Sequence, residues 1–179
     1  MPTSTIPDAA RLLGFYRGEA DGPPGVRIDS IWNWDHRTLE ERHDFIQWLF
    51  PTIDPSWANF SAPALDEASM AAFRSEPGLR RRVLHSLRVM LDFYGLRLDD
   101  SAPEAPAVAR NDQFPERKEN WLANRHNHLR ISRILASLNA LGLPEHAQAF
   151  FACLSDIYDE ERGRIDETTF AYWQARAGE

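Results

Sequence analysis

The run His43-Asp44-Phe45-Ile46-Gln47-Trp48-Leu49-Phe50-Pro51 constrains the fold more than any other part of this chain. Five large apolar side chains crowd into about one and a half helical turns, and a proline then stops them. Residues three and four apart share a helix face, so Leu39, His43, Ile46 and Phe50 are expected to form one stripe, with Gln47 beside it. Phe45, Trp48 and Leu49 make a second. A helix apolar over so wide an arc is buried. His43 and Gln47 are therefore expected inside the protein or lining a cavity in it.

The rest of the chain also reads as helix. A short helix from Pro7 to about Tyr16 carries Leu12, Leu13, Phe15 and Tyr16, and Gly22-Pro23-Pro24-Gly25 follows as a loop. Val26, Ile28 and Ile31 fit either an extended piece or a helical turn. The 43–51 helix begins at a capping box from Thr38 to Glu41, or earlier at Asp35. Pro55 to Pro63 is a loop holding Trp57 and Phe60. Asp66 is the expected N-cap of the next helix, with Leu65 and Met70 as staple partners, ending near Glu76-Pro77-Gly78. Leu79, Val83, Leu87, Met90 and Tyr94 share a face of a longer helix, with Gly95 as its left-handed C-cap.

Residues 99–114, rich in Pro, Ala and Asp, are the expected flexible connection. From Pro115 to Leu141 a helical pattern breaks once near Asn124, with Asn127, Ile131, Ile134, Leu138 and Leu141 on one face. Gly142 ends it, and Pro144 suits the first turn of the next helix, which buries Phe150, Phe151, Leu154, Ile157 and Tyr158. Asp166 caps the last helix, with Ile165 and Phe170 as staple partners. No sustained period-two pattern occurs. The expectation is an all-α fold, a single compact domain over residues 1–179 with about six to eight helices.

Bulk properties exclude several classes of function. A net charge of -7 argues against binding nucleic acid through its phosphates. One cysteine, Cys153, rules out an internal disulfide and a cysteine-rich zinc site. No run of about 18 apolar residues offers a membrane span, and the first residues lack the pattern of a secretory signal. The expected protein is soluble and cytoplasmic.

These blocks carry a resemblance. Phe15-Tyr16-Arg17, then His43 to Pro51, matching an HxxIQWLFP pattern, then Met90-Leu91-Asp92-Phe93-Tyr94-Gly95, occur in the order found in the N-terminal conserved region of the opioid growth factor receptor family. His126-Asn127-His128-Leu129-Arg130-Ile131-Ser132-Arg133-Ile134-Leu135 matches that family's HNxLRIxRIL pattern, continued by Leu138 to Gly142. Phe170 to Trp173 fits more loosely. The resemblance implies an intracellular protein, nuclear or perinuclear in animals, that answers to the peptide met-enkephalin. It brings no catalytic signature. Animal members carry a long acidic and repeat tail after this region, and this chain stops before one. Its Ala- and Arg-rich composition reads as that of a bacterial member.

Two sets of residues are candidates for binding. His43, Gln47 and Trp48 offer hydrogen bonds in an aromatic setting, with Trp32, Trp34 and Trp57 as further walls, and pockets of that kind take small ligands. The alternative is a core histidine satisfied by its neighbours. His126, Arg130 and Arg133, at spacings of four and three, form a cationic ridge suited to carboxylate or phosphate, with Asn127 on the adjoining apolar face. The alternative is a salt-bridge network with some of the 27 acidic residues. The two sets are expected to meet around one polar hollow that holds a peptide or small anionic ligand.

Metal and catalytic patterns are poor. Glu40-x-x-His43 lacks the second copy that a di-iron site needs. His126 and His128 project about 200° apart on a helix. The stretch from Tyr158 to Thr169 lacks the carboxylates of a calcium loop. Cys153 sits among Phe150, Phe151 and Leu154 as a core thiol, and Arg80-Arg81-Arg82 reads as a solvated face. No catalytic residue, metal or cofactor is assigned. The other readings are an enzyme using His43 as general acid or base, and an interaction scaffold whose polar residues only lock helices together.

Overall fold

In the computed structural model, residues 8–55, 59 and 61–178 are described, and they form two compact units, residues 1–86 and 87–179. Pro7, Trp57 and Phe60 lie outside the described residues. Among the described residues there are ten α-helices, more than the six to eight expected, and a two-stranded antiparallel sheet. The fold is mostly helical without being purely so.

In the first unit, α1 (Asp8–Arg17) buries Leu12, Phe15 and Tyr16, and packs against α5 (Glu67–Ser75). Pro23–Gly25 is a single 3-10 turn. The ambiguous stretch after it resolves as α2 (Ile28–Trp32), burying Ile28 and Ile31. Asp66 caps α5 as expected, accepting from the Ser69 amide at 2.8 Å while the Ser69 hydroxyl accepts from the Asp66 amide at 3.0 Å. An aromatic cluster fills this core. Tyr16 meets Phe15 at 5.8 Å and Phe73 at 4.8 Å, edge to face, and its hydroxyl donates to the Leu49 carbonyl.

The expected continuous helix through His43 is overturned. It is two short helices, α3 (His36–Glu41) and α4 (Ile46–Leu49), and Asp35 rather than Thr38 caps the first, accepting from the Thr38 amide at 2.7 Å. Arg42 turns extended, with φ -87° and ψ 136°. Its guanidinium then clasps both carboxylate oxygens of Asp44, at 3.0 and 2.9 Å. Residues two apart diverge by about 200° on a helix, so that clasp requires the break. Asn59 secures it by donating to the Asp44 carbonyl at 3.1 Å. His43 consequently leaves the Leu39 stripe and is exposed, although Leu39, Phe45, Ile46, Trp48, Leu49 and Phe50 are all buried as expected.

The boundary between the units falls within α6 (Pro77–Phe93). In the second unit Gly95 follows α6 with φ +78°, and a Cβ there would lie 2.6 Å from the Phe114 Cα. Only glycine allows both the left-handed turn and so close an approach. The chain then forms a hairpin, β1 (Leu96–Asp99) paired with β2 (Ala107–Arg110) in the register Leu96 to Arg110 and Asp99 to Ala107. This hairpin lies partly inside 99–114, where no strand is expected from the sequence, because strands of four residues are too short to declare a period of two.

After it come α7 (Phe114–Trp121), α8 (Arg125–Ala140), α9 (Pro144–Glu160) and α10 (Glu167–Ala177). The expected break stands at Asn124, the N-cap of α8. Helices α8, α9 and α10 pack on one another, and α9 also covers β2. Tyr94, Trp121 and Phe150 fill the core beside them, the Trp121 indole donating to the Tyr94 carbonyl at 3.1 Å.

Candidate binding site

Of the seven residues singled out from the sequence, His43, Gln47 and Trp48 belong to the first unit, and His126, Asn127, Arg130 and Arg133 to the second. Each group has its own geometry.

In the first unit, α4 carries Gln47 and Trp48 inside the apolar run, where they are 5% and 3% exposed. The Trp48 ring meets Phe15 edge to face at 5.2 Å, and the Arg11 guanidinium lies 5.3 Å above it. Gly22 packs so closely here that a Cβ would come within 3.2 Å of the indole. The surroundings are largely aromatic, but the polar atoms are not matched. Gln47 Oε1, an acceptor, and Trp48 Nε1, a donor, are both buried without a hydrogen-bond partner among the described residues. Such atoms are uncommon, because each costs the desolvation of a polar group with no return. Trp32 and Trp34 are half-buried and engaged elsewhere. Trp32 donates to the Ser86 hydroxyl at 2.9 Å, and Trp34 meets Phe45 at 5.5 Å beneath Arg42.

In the second unit, α8 carries the cationic residues at different depths. Arg130 is 4% exposed, and its guanidinium donates to Asn127 Oδ1 at 3.2 Å. Asn127 is fully buried and reaches the Asn120 carbonyl at 3.5 Å, so it braces Arg130 as well as filling the apolar face. Arg133 and His126 are half-buried, and burial lowers the Arg133 pKa from its ordinary value.

His128 is the residue that sequence reasoning passed over. Ruling it out as a metal partner of His126 left its own surroundings unread. It is 4% exposed, stands edge to face with Trp173 at 5.4 Å, and accepts the Trp173 indole on its backbone carbonyl at 3.1 Å. Its Nε2 lies 3.0 Å from the Leu122 carbonyl, while Nδ1 is buried without a hydrogen-bond partner. Burial pushes its pKa down, opposed by the Leu122 and Trp121 carbonyls.

Cys153 is buried, and burial raises its thiol to about 11, which keeps it protonated at neutral pH. Among the described residues no three His, Cys, Asp or Glu side chains gather as metal ligands. No helix of the described residues is long and apolar enough to cross a membrane.

The family described as opioid growth factor receptor (OGFr) conserved region matches residues 6–175. The opioid growth factor receptor of Mus musculus is 41% identical over 141 residues, covering 76% of this chain and 22% of that protein. That of Homo sapiens is 40% identical, covering 76% and 20%. Opioid growth factor receptor-like protein 1 of Xenopus tropicalis is 37% identical over 134 residues, covering 73% and 25%. The chain thus spans about a fifth to a quarter of the length of these relatives. No solved structure matches it. With nearly its whole length matched, the chain belongs to the opioid growth factor receptor conserved-region family.

Proposed function

We propose that this chain is a peptide-binding module acting inside the cell, and that Gln47 and Trp48 hold a peptide group of the ligand. The observation that carries this reading is the pair of unmatched polar atoms on adjacent residues of α4. A peptide group has one N–H and one C=O, the complements of Gln47 Oε1 and Trp48 Nε1. The aromatic surroundings of Phe15 and Trp48 suit an aromatic ligand side chain. The receptor name of the relatives fits a ligand of this class. In the second unit, Arg130 and Arg133 are proposed to serve a carboxylate, since a guanidinium offers two parallel hydrogen bonds to that group. His126 and Asn127 flank them on the same helix. His43 is kept as a contact at the exposed start of the α4 region.

The test is calorimetric titration of the full chain with met-enkephalin, for wild type and for Gln47→Met and Trp48→Phe. Saturable binding is expected, weakened about tenfold or more in each variant, since a tenfold loss is about 1.4 kcal/mol, close to the worth of one buried hydrogen bond. No saturable heat with the wild type, or variants that bind as it does, would remove the proposal.

A further inference from the structure

The second unit holds a cleft of about 520 Å³ that the peptide reading does not use. The starts of α8 and α10 and the turn between α9 and α10 line it, with Arg125, His128, Arg162, Arg164, Asp166 and Glu167 contributing. Most of these charges are already matched. Arg164 grips both oxygens of Glu119, at 3.0 and 2.9 Å, and Arg162 reaches Asp159 at 2.9 Å. Asp166 is turned to its own helix, accepting from the Thr169 amide at 2.9 Å and hydroxyl at 2.8 Å. Glu167 is exposed in the first turn of α10.

Arg125 stands differently. It is exposed at the first position of α8, and no carboxylate among the described residues lies within ion-pair distance of it. Its effect on Asp166 is a weak, longer-range one. The 16-residue α8 has no acid in its first turn, and its N-cap Asn124 makes no side-chain capping bond. A helix start already carries orphan N–H groups and partial positive charge, so a cation there is unfavourable unless an anion joins it. The independent sign of a ligand is His128, buried in the lining with Nδ1 unpartnered. Its Nε2–H is directed to the Leu122 carbonyl. The two ring nitrogens point nearly oppositely, so with Nε2 donating to a carbonyl the Nδ1 of the neutral ring offers a lone pair, and burial favours that neutral form.

We propose that this cleft binds a phosphate group, its oxygens accepting from the Arg125 guanidinium and the first amides of α8 and its own O–H donating to His128 Nδ1. A phosphate monoanion has both acceptor oxygens and a proton to give; for an ester it is the main species only below the second ionisation, at about 6, whereas inorganic phosphate keeps an O–H at neutral pH. A carboxylate or sulfate has the oxygens without the proton. Recognition needs both.

The experiment titrates inorganic phosphate into the full chain at about pH 6.5, the ordinary histidine range, with sodium sulfate and acetate as comparators. Saturable binding is expected for phosphate, weaker for sulfate and acetate. Arg125→Ala should weaken it about tenfold or more, as loss of a charge-assisted contact does. Arg37→Ala, which removes the same charge away from the cleft lining, should leave it unchanged. The His128 Nδ1 resonance in a nitrogen-15 spectrum of the wild type should move on phosphate addition, which tests that residue without a variant. Phenyl phosphate in competition separates a phosphate ester from free phosphate as the ligand. No saturable phosphate binding, equal losses in the two arginine variants, or an unmoved Nδ1 signal would each overturn the assignment.

Discussion

Replacing Gln47 by methionine should stabilise the free protein. The side chain is 5% exposed, and its Oε1 accepts nothing among the described residues. An unsatisfied buried acceptor costs about 1–3 kcal/mol. Methionine has similar length and no such acceptor, and volume-conserving swaps in a packed site cost under about 1.5 kcal/mol. Helix propensity enters little, because α4 has only four residues. The net expectation is a gain of about 1 kcal/mol. For a chain of this size that raises the melting temperature by about 2–4 °C, read by scanning calorimetry without ligand. In the same variant, peptide affinity should fall. That opposition separates a binding atom from an architectural one. A Gln47→Met protein melting several degrees below wild type would show that the carboxamide supports the fold, and the argument for Gln47 and Trp48 as ligand contacts would fail with it.

Three further outcomes are expected. Gly95→Ala places a Cβ 2.6 Å from the Phe114 Cα at φ +78°. It should destabilise the protein by more than the roughly 1–3 kcal/mol of a left-handed non-glycine residue alone, as measured by urea unfolding. Asp66→Ala removes the capping bond to the Ser69 amide and should cost about 1 kcal/mol, with Asp66→Asn recovering most of it. For pH, the His128 pKa in the folded protein is below its unfolded value, so the unfolded chain binds the extra proton in that interval. Its contribution to stability is complete above the ordinary histidine range and is lost as pH falls from there towards the depressed folded pKa. Urea midpoints at about pH 7.5 and 5.5, either side of that ordinary value, should therefore differ more in wild type than in His128→Gln; equal differences would refute this.

Much of the helical frame was legible because its signals are local. Leu79, Val83, Leu87, Met90 and Tyr94 recur at helical spacing and are all buried, and Gly95 and Gly142 end their helices with positive φ. Asp66 and Asp166 cap where their sequences indicate. What failed depends on contacts that periodicity does not carry. His43 leaves the core because Arg42 prefers Asp44 and because Asn59, fifteen residues on, fastens the Asp44 carbonyl. The hairpin at 96–110 is held partly by Asn111, whose side chain donates to the Leu96 carbonyl at 3.3 Å. Arg130 reads as one cation of a ridge, and its depth and its bond to Asn127 Oδ1 are not in the spacing. His128 owes its burial partly to Trp173 of α10, 45 residues away. A period of 3.6 finds which face is apolar. It does not find which polar atoms that face will orphan.

Those orphans favour the proposed binding protein over a scaffold. A scaffold selected only to hold helices together has no reason to keep an acceptor and a donor unmatched on neighbouring residues, since leucine and phenylalanine would fill the same space without the desolvation cost. Nor has it a reason to begin a 16-residue helix with an arginine and no side-chain capping bond, where Asp or Glu would stabilise it. Local choices that oppose stability concentrate at functional sites, because elsewhere nothing retains them. Two of these choices among the described residues, at Gln47–Trp48 and at Arg125–His128, are chemically definite: one lacks the two halves of an amide, the other an anion with a proton to donate. If both are sites, filling either should raise stability and removing its polar atoms should not lower it. That pairing of results is open to no purely structural account of the same residues.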